Sequence, residues 1–207
     1  MARRVFVSFR FSDGSPYKEK LDELFGSSVE VINRSEDTDR SNMSEDTIRN
    51  YLYEKLSDTS VTIILLTPNA LDYERDFYGR IDDWTYDEVR YSLEDRTGNR
   101  TNGLVAVYVP EAENILLSRH DCTKCGKGCE ITSIPMREHL FRKNMMNVKS
   151  AFASHTCFEK GIFDADKDSY CSLVSWNNFI EDYCGYIDRA ADKRNRRDEF
   201  KIVKHLQ

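Results

Sequence analysis

Short unbroken apolar runs alternate with stretches whose apolar positions recur every three or four residues, and this alternation continues through the first half of the chain. Val5-Phe6-Val7-Ser8-Phe9 is β-branched or aromatic at nearly every position and predicts a strand covered on both faces, followed by a polar turn from Arg10 to Pro16. Tyr17 to Phe25 predicts a helix, with Leu21, Leu24 and Phe25 on one stripe and Gly26 as its stop. Val29 to Ile32 is a weaker strand feeding a polar loop, Asn33 to Asn42, whose charged residues leave little to bury. Ser44 is placed to cap a second helix with Ile48, Leu52 and Leu56 at i, i+4 and i+8. Val61-Thr62-Ile63-Ile64-Leu65-Leu66 predicts a central strand stopped by Thr67-Pro68-Asn69, and Leu104 to Val109 a fourth strand ended by Pro110. Strands alternating with helices in this way predict an α/β fold: an open parallel sheet with helices on both faces.

Between the third and fourth strands lies Asp82-Asp83-Trp84-Thr85-Tyr86-Asp87-Glu88. At about 3.6 residues per turn Trp84 and Glu88 share a helical face with Tyr91 next along it, while Tyr86, Val89 and Leu93 fall on a face suited to pack inward. An ordinary amphipathic helix with a half-buried Trp and a solvated Glu has the same spacing, so position must decide between the two. In an open parallel sheet, ligands bind beyond the carboxyl ends of the strands. The residues delivered there are Ser8, Phe9 and Arg10, then Asn33, then Thr67, Pro68 and Asn69, and the helix bearing Trp84 and Glu88 starts at the same edge.

Beyond residue 110 the periodicity weakens. Residues 1–110 are expected to form the core, and 111–207 a cysteine-containing insertion and C-terminal helical extension packed on it as one domain. In that second part Trp176, Phe179, Ile180, Tyr183 and Ile187 form a helical stripe suited to core packing, interrupted near Gly185, and Arg189 to Gln207 reads as a basic, solvated, frayed helix.

Composition narrows the class. A chain of 207 residues with 40% hydrophobic and 32% charged content suits one substantial core. The net charge of −6 argues against general nucleic-acid binding while leaving room for a local basic patch. No apolar run reaches bilayer length and the N-terminus passes straight into a strand, so the expectation is a cytoplasmic protein without membrane attachment. In that compartment the six cysteines read as thiols or metal ligands. Cys122, Cys125 and Cys129 form a C-x-x-C-x-x-x-C array, with His120, His139, His155 or Cys157 as a fourth donor. The array suits structural zinc, a loop of free thiols or a redox switch.

Three stretches, Arg4 to Phe9, Thr59 to Asn69 and the W-x-x-x-E of Trp84 to Glu88, resemble in order and spacing the Toll/interleukin-1 receptor (TIR) family, most closely the bacterial TIR-like proteins of Thoeris-type antiphage defence. Ser175 to Phe179 and Tyr186 to Ala190 are similar to the tail of those proteins. The resemblance implies a flavodoxin-like sheet and an enzyme with NAD as substrate. Such an enzyme cleaves the nicotinamide–ribose bond, making a cyclic or conjugated ADP-ribose messenger for an antiphage effector. It further implies Glu88 as the catalytic carboxylate and a phage-derived trigger. Homo-oligomers fit the family, and the loop Asn33 to Asn42 is expected to control assembly and access. Substrate contacts are expected from Ser8, Phe9, Arg10, Asn33, Asn69 and Trp84, with Trp84 and Phe9 stacking on flat rings and Arg10 meeting the pyrophosphate. Asp87 and Thr85 depart from residues common in the family at those positions. A non-catalytic TIR interaction module or scaffold is the rival reading.

Overall fold

The computed structural model describes residues 2–33, 45–95, 100–121, 130–135, 138–153 and 164–206. Five parallel strands make the main sheet: β1 (Arg3–Ser8), β2 (Val31–Asn33), β3 (Val61–Leu66), β4 (Gly103–Tyr108) and β7 (Cys171–Ser175). Their spatial order is β2-β1-β3-β4-β7, the flavodoxin-like arrangement in which the chain reverses direction of growth at β1/β3. The connecting helices are α1 (Phe11–Gly26), α2 (Glu45–Leu56), α3 (Trp84–Leu93) and α4 (Pro110–Leu116). A small antiparallel pair, β5 (Ser118–Asp121) and β6 (Glu130–Ser133), and the short α5 (Leu140–Lys143) precede β7. Two helices follow it, α6 (Trp176–Glu181) and α7 (Tyr183–Asn195).

Side chains alternate across a strand, and the core divides accordingly. Ile63, Leu65, Val105 and Val107 face one layer with Leu21, Phe25, Phe179 and Ile187 from α1, α6 and α7. Ile64, Leu66, Leu104 and Ala106 face the other, with Tyr86, Val89 and Leu93 of α3 and Phe141 of α5. A third cluster, Phe6, Leu52, Leu56 and Tyr91, joins α2 to the far side of α3.

Several elements differ from the sequence expectation. The turn expected from Arg10 to Pro16 is helical from Phe11 onward, because the Asp13 carboxylate accepts from Thr67 Oγ1 (2.7 Å) and the Asn69 amide (2.9 Å) and ties this first turn to the end of β3. The fifth strand, β7, comes from a region in which no strand was expected and pairs along β4 from Leu104↔Cys171 to Tyr108↔Ser175. The helical stripe after it breaks at Asp182, whose carboxylate caps α7 by accepting from the Gly185 amide at 3.2 Å.

The basic tail is not a solvated helix throughout. Ala190, Ala191 and Lys193 are buried on α7, and beyond a short turn the chain runs back extended. There Asn144 holds Val203 through both its backbone groups and the Leu206 amide donates to the Tyr86 hydroxyl. No helix among the described residues is long and apolar enough to cross a membrane.

Candidate functional site

Helix α3 begins where the ends of β1 and β3 meet, and its first residue is positioned by Asp83. This Asp has β-region backbone angles and caps the helix, accepting from the Tyr86 amide at 3.2 Å and the Thr85 hydroxyl at 2.6 Å. Its second oxygen accepts from the Glu74 amide at 2.9 Å and pairs with the Arg10 guanidinium. Arg10 also pairs with Glu74 and donates to the Asp72 carbonyl at 3.3 Å. The residue that leaves β1 is thereby fastened to the start of α3.

One turn on, the Trp84 indole N–H donates to Glu88 Oε1 at 2.7 Å, as the i, i+4 spacing allows. Glu88 is only 3% exposed, so its carboxylate does not stand in bulk water. The face that the sequence left open toward a ligand is covered here: Tyr91 is buried and packs edge-on against Tyr53 of α2, with ring centroids 5.0 Å apart. Below Glu88 a polar ladder fixes the helix to the sheet. Ser92 donates to the Glu88 carbonyl (2.7 Å), Thr62 to Ser92 (2.7 Å), and Asn102 to Thr62 (3.2 Å) and Thr59 (2.8 Å).

Of the other residues expected near a substrate, Ser8 lies fully buried and lines a small void of about 10 Å³ with Thr85 and Val89 of α3. Phe9 sits in the opposite core layer, its ring 4.6 Å from that of Phe11 and packed over Gly14. Asn33 donates to Asp22 (2.5 Å) and Asn69 to Ser12 (3.0 Å), so both engage α1 rather than α3. Arg10, Trp84 and Glu88 are thus gathered around the first turns of α3, with Ser8 beneath them, while Phe9, Asn33 and Asn69 lie along α1. The sequence reading missed Asp83 as the anchor of this arrangement. Its signal was present: an Asp directly before the first helical residue is a standard cap.

The metal reading falls largely outside the described residues, since Cys122, Cys125 and Cys129 lie in 122–129 and His155 and Cys157 in 154–163. Among the described residues no group of three or more His, Cys, Asp and Glu is arranged to hold a metal ion. His139, offered as a fourth donor, is buried, with Nε2 2.9 Å from the Leu71 carbonyl and its ring centroid 4.2 Å from that of Tyr73, tilted by 35°. Burial holds its pKa below the ordinary histidine value. The contact with a carbonyl makes Nε2 the protonated nitrogen of the neutral ring.

The strand order, the helices on both sheet faces and the W-x-x-x-E segment at the carboxyl edge together define a TIR-like α/β protein of the flavodoxin-like kind. Residues 6–114 match the family model described as Thoeris protein ThsB, TIR-like domain. The chain belongs to that family. The match runs from within β1 through β4 and includes all of α3, whereas β7, α6 and α7 complete the sheet and its covering layer from outside it.

Proposed function

We propose that this protein processes NAD, cleaving the bond between nicotinamide and ribose, and passes the ADP-ribose part on as a cyclic or conjugated messenger that activates an antiphage effector. The observation that carries the reading is the Glu88 carboxylate, buried one turn into the helix that starts at the carboxyl edge of the sheet and hydrogen-bonded by the Trp84 indole, in a chain of the ThsB TIR-like family. As nicotinamide departs, positive charge develops at the anomeric carbon, and a fixed carboxylate of low solvent exposure stabilises that charge without having to reorganise. Trp84 orients the carboxylate through its N–H and offers its ring as a wall for a flat group. Substrate contacts from Ser8, Phe9, Arg10, Asn33 and Asn69 belong to the same reading, as do a phage-derived trigger, self-association and a cytoplasmic place of action.

A second reading, a TIR interaction module without chemistry, draws on a specific observation. Glu88 is covered, and Arg10 is already engaged by two carboxylates. Following nicotinamide release from NAD, with and without lysate of phage-infected cells, separates the two. Wild-type turnover that disappears in Glu88→Gln supports the enzyme; turnover unchanged in that variant removes Glu88 from the chemistry.

A further inference from the structure

On the side of α3 away from α2, a cavity of about 780 Å³ opens between the hairpin carrying Arg75 and Arg80, the helix α5 and the returning chain at Val203 to Leu206. Its volume lies in the range of small-molecule sites. Among the described residues that line it, four are basic, Arg75, Arg80, Arg90 and Lys143, with His205 beside them and Glu138 the one carboxylate. In a chain of net charge −6 this is a local concentration of basic side chains. Three of the cations are held in place by carboxylates: Arg75 by Glu138 (3.1 Å), Arg80 by Asp76 (2.8 Å) and Arg90 by Asp87 (3.5 Å). A guanidinium has five N–H donors, so such pairing orients the fork while leaving donors for a ligand. The Lys143 ammonium has no ion-pair partner among the described residues. Ile81, Tyr86, Val203 and Leu206 supply an apolar part of the wall.

We propose that this cavity is a binding site for a phosphorylated small molecule. Phosphate oxygens suit the guanidinium and ammonium donors that line this one cavity, and the apolar wall accepts the rest of the ligand. A nucleic-acid strand is disfavoured by the chain's net charge of −6. Because Tyr86 and Arg90 belong to α3, a ligand here binds the helix that also carries Glu88, from its opposite side.

The test is calorimetric titration of the whole chain with inorganic pyrophosphate, comparing wild type, the surface double variant Arg80→Gln/Lys143→Gln, and Glu88→Gln. The expected result is saturable binding by wild type, weakened at least about tenfold in the double variant and retained in Glu88→Gln, with an affinity that falls as salt rises. Arg80 is 75% exposed, so the double variant is expected to keep the wild-type urea midpoint. No saturable binding by wild type, or equal affinity in the double variant, overturns the site. Loss in Glu88→Gln with retention in the double variant also overturns it, since the anion then lies on the Glu88 side. Binding here does not depend on NAD turnover, so this site and the proposed enzyme function stand or fall separately.

Discussion

Replacing Arg10 by Met separates two roles that the sequence could not distinguish, a contact to substrate pyrophosphate and a brace for α3. The Asp83 side chain is 1% exposed and that of Arg10 15%, so removing the guanidinium strands a buried carboxylate. Breaking a buried pair by deleting one partner costs about 3–5 kcal/mol. Asp83 keeps its bonds from Glu74, Thr85 and Tyr86, which places the expected loss near the low end, at about 3 kcal/mol. For a chain of this length each kcal/mol lowers Tm by about 2–4 °C, so Arg10→Met should melt roughly 6–12 °C below wild type. Pairing it with Asp83→Asn in a double-mutant cycle should return a coupling of about 2 kcal/mol, because the two side chains share one interaction. Thermal melts and urea titrations read the effect directly. A Tm within about 2 °C of wild type, together with a raised KM for NAD, would refute the bracing role and return Arg10 to the substrate.

Gly103→Ala should lose about 1–3 kcal/mol in urea unfolding, because its Cβ would stand 2.1 Å from the Ala190 carbonyl oxygen, a backbone atom of α7 that cannot rotate away. An unchanged midpoint would mean that α7 shifts off β4 at negligible cost. His139 gives a pH dependence. Its folded pKa lies below the ordinary value of 6.5, so the unfolded chain takes up the proton first and stability, complete above pH 6.5, falls as pH drops toward the folded pKa. Comparing urea midpoints at about pH 7.5 and 5.5, wild type should lose more stability than His139→Gln, and parallel losses would show that His139 is not the group responsible.

The parts of the fold legible in the sequence are those where one interaction dominates locally. Val61 to Leu66 is legible because a run of strand length that is β-branched or aliphatic at every position needs cover on both faces, which a parallel sheet gives it. The inward stripe of α3 was legible for the same reason, since Tyr86, Val89 and Leu93 enter one core layer, whereas Trp84 and Tyr91, expected to face a ligand, join another cluster against α2. What failed depended on partners distant in the chain. Ser12, Asp13 and Gly14 favour a turn locally, but Asp13 finds its donors at Thr67 and Asn69. The strand β7 hides because Ser172 interrupts its apolar run, and that Ser is satisfied by Lys193 of α7, whose Nζ donates at 2.7 Å. Burial lowers the pKa of this lysine to about 8, which no local pattern announces. Around the candidate site, the W-x-x-x-E spacing was sufficient to put indole and carboxylate together, whereas the prior engagement of Arg10 by Asp83 and Glu74 was invisible to it.

The choice of glutamine at position 88 follows from the same geometry. Glu88 Oε1 accepts from the half-buried Trp84 N–H at 2.7 Å inside a covered site, so truncation to Ala would open space and remove that donor's partner, a loss of about 1–3 kcal/mol before any chemistry is considered. Glutamine keeps an acceptor oxygen and nearly the same volume while removing the negative charge, the one property that stabilises a developing cation. Glu88→Gln should therefore unfold within about 1 kcal/mol of wild type and yet release no nicotinamide. Trp84→Phe supplies the complement. It keeps a ring in the wall and the charge on Glu88 but removes the orienting N–H, so it should slow turnover without abolishing it. Equal, complete loss in both variants with intact folding would show that orientation by the indole matters as much as the charge itself. Full activity in Glu88→Gln would leave the carboxylate a structural partner of Trp84 and nothing more.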